Sequence, residues 1–208
     1  MQHKGGKKGV VCSCQVGDMG VGFPEDGKYS KDGVSYPSEI NNNHLFIRGN
    51  HDDPAKCKLH PNYLGEWGYL PTPEMFFLSG GYSIDFRFRS QGISWWKDEE
   101  LSIIEMNKVL KSYANHKPKI VVSHESPLEM KNYFVSNDWK LEHDSRTEKL
   151  LQSMFEIHQP DYWICGHHHK FVEIDKNGTH FVCLDELVDG SIKDCIYEIP
   201  NLTWEGYK

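Results

Sequence analysis

Four β-prone runs of this 208-residue chain end in small or polar residues, and this repeated ending constrains the fold more than any other feature of the sequence. The runs lie at residues 10–16, 45–48, 120–123 and 162–165. They lead into Gly17-Asp18, Gly49-Asn50-His51-Asp52, His124 and Gly166-His167-His168-His169, respectively. Because functional side chains of α/β proteins gather where strands end, we expect these four segments to meet in one crevice.

Two amphipathic stretches predict helices between the strands. Residues 98–116 carry apolar side chains close to a 3.6-residue period and are followed by Pro118, whereas residues 145–158 begin at a serine cap and stop before Pro160. Each stretch precedes a predicted strand, which indicates an α/β fold with a sheet covered by helices. Further strands are predicted at 76–78, 82–88, 171–174, 180–184 and 195–199, a hairpin turn at Asn177-Gly178, and a functional loop at 52–73.

The length and charge of the chain limit its class. The length predicts a single domain over residues 1–208, with residues 1–8 as a flexible tail. Twenty-three basic and 30 acidic residues give a net charge of −7, which weighs against bulk binding to nucleic acid or anionic lipid. No run approaches the roughly 18 apolar residues of a membrane span, and the six scattered cysteines indicate reduced thiols, so we expect a cytoplasmic protein without a membrane partner.

The three consecutive histidines stand directly after the fourth run. In an extended segment, residues two apart face the same side, so we expect His167 and His169 to converge as metal ligands while His168 points away. Each strand-end group also has an ordinary structural reading: a turn for Asp18, a capped turn for Asn50 and His51, a hydrogen-bonded strand end for His124, and an exposed polar run for the three histidines.

In this order, the four segments strongly resemble the motifs of the calcineurin-like metallophosphoesterase superfamily. The matching text is Gly-Asp at 17–18, Gly-Asn-His-Asp at 49–52, Ser-His-Glu-Ser-Pro at 123–127 and Gly-His-His-His at 166–169, and the resemblance runs from about Gly9 to the C-terminus. Residues 80–85, followed by Trp95-Trp96, are similar to small phage and bacterial members. The resemblance implies an α/β fold of four layers, the αββα sandwich of metal-dependent phosphatases.

The resemblance also implies a centre for two divalent ions. Asp18 would bridge both ions, Asn50, His124 and His167 would complete one of them, and His169 would bind the other. This mixture of carboxylate, amide and imidazole ligands suits Mn²⁺ first, with Fe, Zn²⁺ or Ni²⁺ as alternatives. We expect one or two ions per chain.

Further roles follow from the same resemblance. His51 would act as the general acid or as a stabiliser of the transition state. Asp52 would hold a neighbouring imidazole in place and so assist catalysis. Arg48, or the pair Arg87 and Arg89 on one face of a strand, would contact phosphate, although that pair also suits a solvated strand face.

The chain departs from the superfamily at its start, because the usual Asp-x-His motif of the first strand is absent. We therefore expect the first strand and first helix of the sandwich to be missing, and the second ion to be weakly bound, absent or completed by solvent. A missing strand would also leave a sheet edge through which chains could associate. The second Asp and the Arg that follow Gly-Asp in protein Ser/Thr phosphatases are absent too, which disfavours that activity.

These expectations lead to one principal function and two alternatives. The principal one is a metallophosphoesterase, a hydrolase that uses metal-bound hydroxide on a phosphomonoester or phosphodiester, with reduced activity if the second ion is missing. Its substrate would be a phosphorylated small molecule or a nucleotide. The alternatives are a catalytically degenerate metal- or phosphate-binding protein that acts through partner contacts, and a structural zinc module.

Overall fold

A six-stranded mixed sheet forms the centre of the computed structural model, which describes residues 12–22, 44–134, 145–186, 193–200 and 202. Its spatial order is β3-β4-β5-β6-β8-β7. The four inner strands β4, β5, β6 and β8 run parallel to one another, and each edge strand, β3 or β7, is antiparallel to its inner neighbour. The strands are β3 (Trp67–Leu70), β4 (Met75–Leu78), β5 (Ile120–Ser123), β6 (Tyr162–Cys165), β7 (Val172–Lys176) and β8 (Thr179–Cys183).

A second, two-stranded parallel sheet consists of β1 (Ser13–Gln15) and β2 (His44–Phe46). The helices of the described residues are α1 (Pro54–Cys57), α2 (Ile103–His116), α3 (Lys131–Phe134) and α4 (Arg146–Ile157), with 3₁₀ turns at Phe86–Phe88 and Leu128–Met130. Both long helices begin with a capping box, Ser102 with Glu105 in α2 and Ser145 with Glu148 in α4.

The two faces of the large sheet are covered differently. On one face, α2 and α4 bury Tyr113, Leu151 and Phe155 against strand residues that include Trp163 and Phe181. The opposite face packs on the small sheet through an apolar cluster of Leu45, Ile47, Leu64, Leu70, Met75, Phe77, Ile120 and Val122. The described layers are therefore helix, sheet and sheet, and the one-turn helix α1 adds Cys57 behind Phe46 of β2.

Most predicted elements are confirmed, including the mixed α/β class, the helix after Ser145, and the hairpin turn at Asn177-Gly178 with positive φ at both residues. Three of the four predicted runs are described completely; residues 10 and 11 of the first run, like the predicted tail at 1–8, lie outside the described residues. The four-layer arrangement, the missing first strand and helix, and a single domain over the whole chain stay predictions. No helix in the described ranges is long and apolar enough to cross a membrane.

Four predicted elements differ in the structure, and in two of them side-chain hydrogen bonds give the reason. Residues 82–88 form no strand, because the amides of Tyr82 and Ser83 donate to side-chain carboxylates instead of to a neighbouring strand. The second helix starts at Ile103 rather than at residue 98, because Glu99 and Glu100 bind groups elsewhere. The predicted loop at 52–73 contains α1 and β3, and residues 195–199 form no strand.

Candidate metal centre

Four polar side chains from four strand ends meet where the two sheets adjoin. Nε2 of His124 lies 3.0 Å from Oδ1 of Asn50 and 3.4 Å from Oδ1 of Asp18. Nδ1 of His167 lies 3.1 Å from both the Asn50 oxygen and the His124 nitrogen. The structure thus brings together four of the five predicted metal ligands.

Contacts on the outer side of each imidazole show which nitrogen faces the cluster. Nδ1 of His124 donates to the carbonyl oxygen of Val16 at 2.9 Å, so Nε2 is the nitrogen that faces Asp18 and Asn50. Nε2 of His167 lies 3.6 Å from a carboxylate oxygen of Glu125, and Nδ1 faces inward. Two oxygen atoms and two imidazole nitrogens therefore face one another across the cluster, an arrangement that a shared proton or a cation stabilises.

The spacing and chemistry of these atoms fit a divalent cation. Ligand atoms bound about 2.1 Å from one small cation lie roughly 3.0–3.4 Å from each other, which matches the separations measured here. Asp18, His124 and His167 do not by themselves form a group that could hold a metal ion, and no other three His, Cys, Asp or Glu side chains of the described residues do so. The cluster is completed by the Asn50 amide oxygen, which lies next to both imidazoles.

The pKa shifts of the clustered residues also favour a bound cation. Burial alone would raise the pKa of Asp18 and lower that of His124, but their mutual attraction lowers the pKa of the carboxyl and raises the pKa of His124 to about 9. Burial and the nearby His124 hold the pKa of His167 well below its usual value. The site therefore attracts positive charge, which a bound cation would supply in place of the proton.

Two glycines allow the strand ends to approach this closely. A Cβ on Gly49 would stand 2.0 Å from Oδ1 of Asp18, and a Cβ on Gly17 would stand 2.4 Å from Nδ1 of His124. Asp18 and His167 themselves adopt positive φ values of 56° and 67°. Such conformations are unfavourable for residues with a Cβ and cluster at functional sites.

Asp52 binds backbone amides, whereas the sequence analysis predicted that it would hold a neighbouring imidazole. Its buried carboxylate accepts hydrogen bonds from the backbone amides of Gly49 (2.8 Å), Met19 (3.2 Å) and Val21 (2.8 Å), and its described hydrogen bonds include none from an imidazole. It thereby ties the loop after β1 to the loop after β2. Asp52 is a positioning residue rather than a group that faces the pocket.

His51 lies beside the cluster and contacts Arg89. The amide of His51 donates to Asp18 at 2.9 Å, and its Nε2 lies 2.5 Å from Nη2 of Arg89, which also pairs with Asp85 at 2.8 Å. Because a guanidinium only donates, this imidazole nitrogen accepts. Burial lowers the pKa of His51, and the charge of Arg89 lowers it further, which favours the neutral ring.

The three arginines that were predicted to contact phosphate have different surroundings. Arg87 and Arg89 do not share a strand face, because they lie in and just after a 3₁₀ turn; Arg87 is exposed over the ring of Phe86, whereas Arg89 lines the pocket. Arg48 is 1 % exposed and binds Glu66 at 2.6 Å and two backbone carbonyls. Its guanidinium is committed to the fold, so the structure does not support a phosphate contact for Arg48.

The expected alternation within the histidine run is wrong. His167 and His169 have positive φ, so the segment turns instead of extending. His168 points inward, with Nε2 3.0 Å from Oγ of Ser126, and it lines the same pocket as its neighbours. His169, 53 % exposed, pairs with Glu186 at 3.2 Å, outside the four-residue cluster.

A pocket of about 710 Å³ opens over the cluster. Its floor includes Asp18, Asn50 and His167, and part of its wall is apolar, formed by Ile84 and Phe134. No residue of the predicted functional loop at 52–73 lines it.

Sequence reasoning did not single out Glu125, Ser83 or Glu99, which the structure places against the site. Glu125 accepts from the amide of Tyr82 at 2.7 Å, and burial raises its pKa. Its position directly after His124 was an available signal. Ser83 and Glu99 gave no such signal, because they reach the site through contacts that are distant in sequence.

Comparison with known proteins agrees with this geometry. A family model described as calcineurin-like phosphoesterase matches residues 15–171, a range that includes every residue of the four-ligand cluster. A search of curated proteins finds no match to this chain. With most of its length covered by that model, the chain belongs to the calcineurin-like phosphoesterase family, whose members are in general metal-dependent hydrolases of phosphate esters.

Proposed function

We propose that this chain hydrolyses the phosphate ester of a small molecule or nucleotide at a cation held by Asp18, Asn50, His124 and His167. The observation that supports this assignment most strongly is the meeting of Asn50, His124 and His167 at 3.0–3.1 Å, with Asp18 3.4 Å from His124, beside a pocket that three of these four residues line. A purely structural cluster would not need to open onto a cavity of this size. Mn²⁺ is the ion that we expect first.

The cation and the side chains of the pocket would make different contributions to catalysis. When bound, a divalent cation lowers the pKa of water and neutralises charge on a phosphoryl group. Arg89 has the geometry to bind a phosphoryl oxygen, since its guanidinium already reaches the nitrogen of His51 at the pocket wall.

His51 is proposed as the general acid. Before substrate binds, burial and Arg89 keep its ring neutral. A phosphate dianion placed between His51 and Arg89 would offset the charge of Arg89 and favour protonation of His51. His51 could then donate its proton to the leaving-group oxygen.

The pocket supports a compact substrate. A volume of about 710 Å³ suits a drug-sized or nucleotide-sized molecule, and the apolar side chains of Ile84 and Phe134 would contact its organic part. The choice between a monoester and a diester remains part of the proposal, and both are included in the test below.

A second candidate is a metal- or phosphate-binding protein without turnover. The observation that favours it is the position of His169, whose imidazole pairs with Glu186 instead of joining the cluster. The described residues therefore hold one four-ligand group, whereas the two-ion chemistry of the resemblance needs a second.

Turnover of 4-nitrophenyl phosphate and bis(4-nitrophenyl) phosphate, measured with added Mn²⁺, tests the proposal. We expect Asp18→Asn and His51→Ala to lower kcat/KM by about 100-fold or more. Asp175→Asn is the matched control, because this exposed carboxylate lies on β7 and pairs with His180.

Equal activity in Asp18→Asn and the parent chain would contradict the assignment. Binding of Mn²⁺ without turnover of either ester would support the second candidate instead.

A further inference from the structure

Asn50 presents its amide oxygen to His124 and His167, yet an amide group can rotate by a half-turn and present its NH₂ group instead. The two orientations occupy nearly the same space and differ in which atom faces the imidazoles. An NH₂ group cannot bind a cation, because it carries no available lone pair. A contact outside the cluster that favours the first orientation would therefore prepare the amide for a cation.

The selecting contact is made by Ser83. Nδ2 of Asn50 donates to Oγ of Ser83 at 3.1 Å, and Oγ of Ser83 donates its single hydrogen to Oε2 of Glu99 at 2.7 Å. The amide of Ser83 donates to the other oxygen of Glu99 at 2.9 Å. One short chain of hydrogen bonds thus leads from a carboxylate to the amide of Asn50.

The direction of each hydrogen bond follows from the ionised carboxylate at its end. When Glu99 is ionised it can only accept, so the Ser83 hydrogen then points to Glu99 and the Ser83 oxygen accepts from the other side. Arg89, which can only donate, lies 3.5 Å from the same oxygen and imposes the same requirement. The Asn50 atom that faces Ser83 is therefore its NH₂ group, and its oxygen faces the imidazoles.

The surroundings exclude solvent from this chain of bonds and hold it in place. Asn50, Ser83 and Glu99 are all buried, so water cannot readily replace a lost partner. The backbone carbonyl of Glu99 accepts from Nη1 of Arg48 at 2.7 Å, and a Cβ on Gly80 would meet that carbonyl at 2.4 Å. Through this hydrogen bond, Arg48 links the backbone at Glu99 to the segment that contains Asn50.

We propose that Ser83 and Glu99 are positioning residues of the metal centre: a Glu99–Ser83–Asn50 relay that fixes the Asn50 oxygen toward the cation. The relay rests on the proposed function for its purpose, but its hydrogen-bond direction is a property of the metal-free chain. This assignment explains why a buried carboxylate lies behind the site without touching it. It adds two residues to the site that make no contact with the cluster of donor atoms except through Asn50.

The first test measures Mn²⁺ affinity by calorimetry. We expect Ser83→Ala to weaken binding about 10- to 100-fold, the range usual for loss of a group that orients a metal ligand. Glu99→Gln should also weaken binding, because its NH₂ group can donate to Ser83 and reverse the chain. Ser153→Ala and Glu156→Gln on α4 are matched controls, expected to bind as the parent does.

A double-variant cycle separates orientation from general structural support. Asn50→Asp carries oxygen at both positions, so its orientation no longer needs to be selected. In that background, Ser83→Ala should change Mn²⁺ affinity by less than about threefold. An equal loss in both backgrounds, or no loss in the parent background, would overturn the relay.

A second measurement needs no metal and no active enzyme. In the metal-free parent chain, nuclear Overhauser contacts from the Asn50 NH₂ protons should reach the β-protons of Ser83 and not the ring protons of His124. The opposite pattern would overturn the relay even if Mn²⁺ binds. Failure of the parent to bind Mn²⁺, with the contacts to Ser83 present, would instead count against the proposed function alone.

Discussion

Gly49→Ala is a small change that should disable the centre. A methyl group at residue 49 would stand 2.0 Å from Oδ1 of Asp18, whereas real Cβ contacts below 3.0 Å essentially do not occur. The carboxylate oxygen must therefore move by about 1 Å, and the backbone nitrogen of Asp18 and the ring of His124, each 2.7 Å from the added carbon, must move as well. Because metal–ligand distances tolerate only about 0.2 Å, both Asp18 and His124 would be displaced as ligands.

The expected result is a fall in Mn²⁺ affinity of about 100-fold, with about 1–3 kcal/mol lost from the free energy of unfolding through overpacking. Calorimetry gives the affinity, and urea denaturation of the metal-free chain gives the stability. Gly178→Ala is the control, because its φ of +85° makes alanine unfavourable while nothing lies within 4 Å of the added Cβ. It should lose about 1 kcal/mol of stability and keep its affinity.

The reasoning would be refuted if Gly49→Ala bound Mn²⁺ within threefold of the parent. That result would mean that the Asp18 carboxylate can withdraw without harm, and that Asp18 does not hold the cation.

Three further predictions concern stability. Arg48→Ala should lower the free energy of unfolding by about 3 kcal/mol in urea denaturation, because it removes the buried partner of Glu66 and the side-chain donor to two backbone carbonyls, whereas Arg146→Ala, which removes a half-exposed guanidinium, should lose less than about 1 kcal/mol. Chelation of Mn²⁺ should lower the melting temperature, since a cation at 100 times its Kd stabilises the folded chain by about 2.7 kcal/mol; an unchanged melting curve would contradict a bound cation. Burial raises the pKa of Glu99 above its unfolded value, so its contribution to stability is full below about pH 4.5 and falls as the pH rises through the folded pKa. Metal-free Glu99→Gln should therefore lose less stability between pH 4 and pH 7 than the parent does in urea denaturation.

Local pattern was sufficient to predict most of the framework. Short apolar runs such as residues 120–123 and 162–165, bounded by small or polar residues, are typical of inner strands, and the structure contains both with the predicted bounds. The helix at Arg146–Ile157 was predicted for the same kind of reason, because its serine cap and apolar period are both local. The local pattern of residues 82–88 wrongly predicted a strand, because the amides at 82 and 83 bind carboxylates that lie far away in sequence.

Some features of the candidate site also follow from local sequence, whereas others depend on tertiary contacts. The sequence by itself determined which residue types stand at the strand ends, and therefore the family and the four residues that cluster there. Only the tertiary structure decided the turn that separates His169 from the cluster, the contact of Arg89 with His51, and the amide-binding task of Asp52.

The orientation of Asn50 is the clearest case. Asparagine at residue 50 is visible in the sequence, but the atom that it presents depends on Ser83, 33 residues away, and on Glu99 behind it. Strand positions follow from the local burial of apolar side chains, whereas the direction of a hydrogen bond depends on partners that only folding brings together. The sequence therefore determined which candidate ligands are present, and the tertiary structure decided which of their atoms face the site.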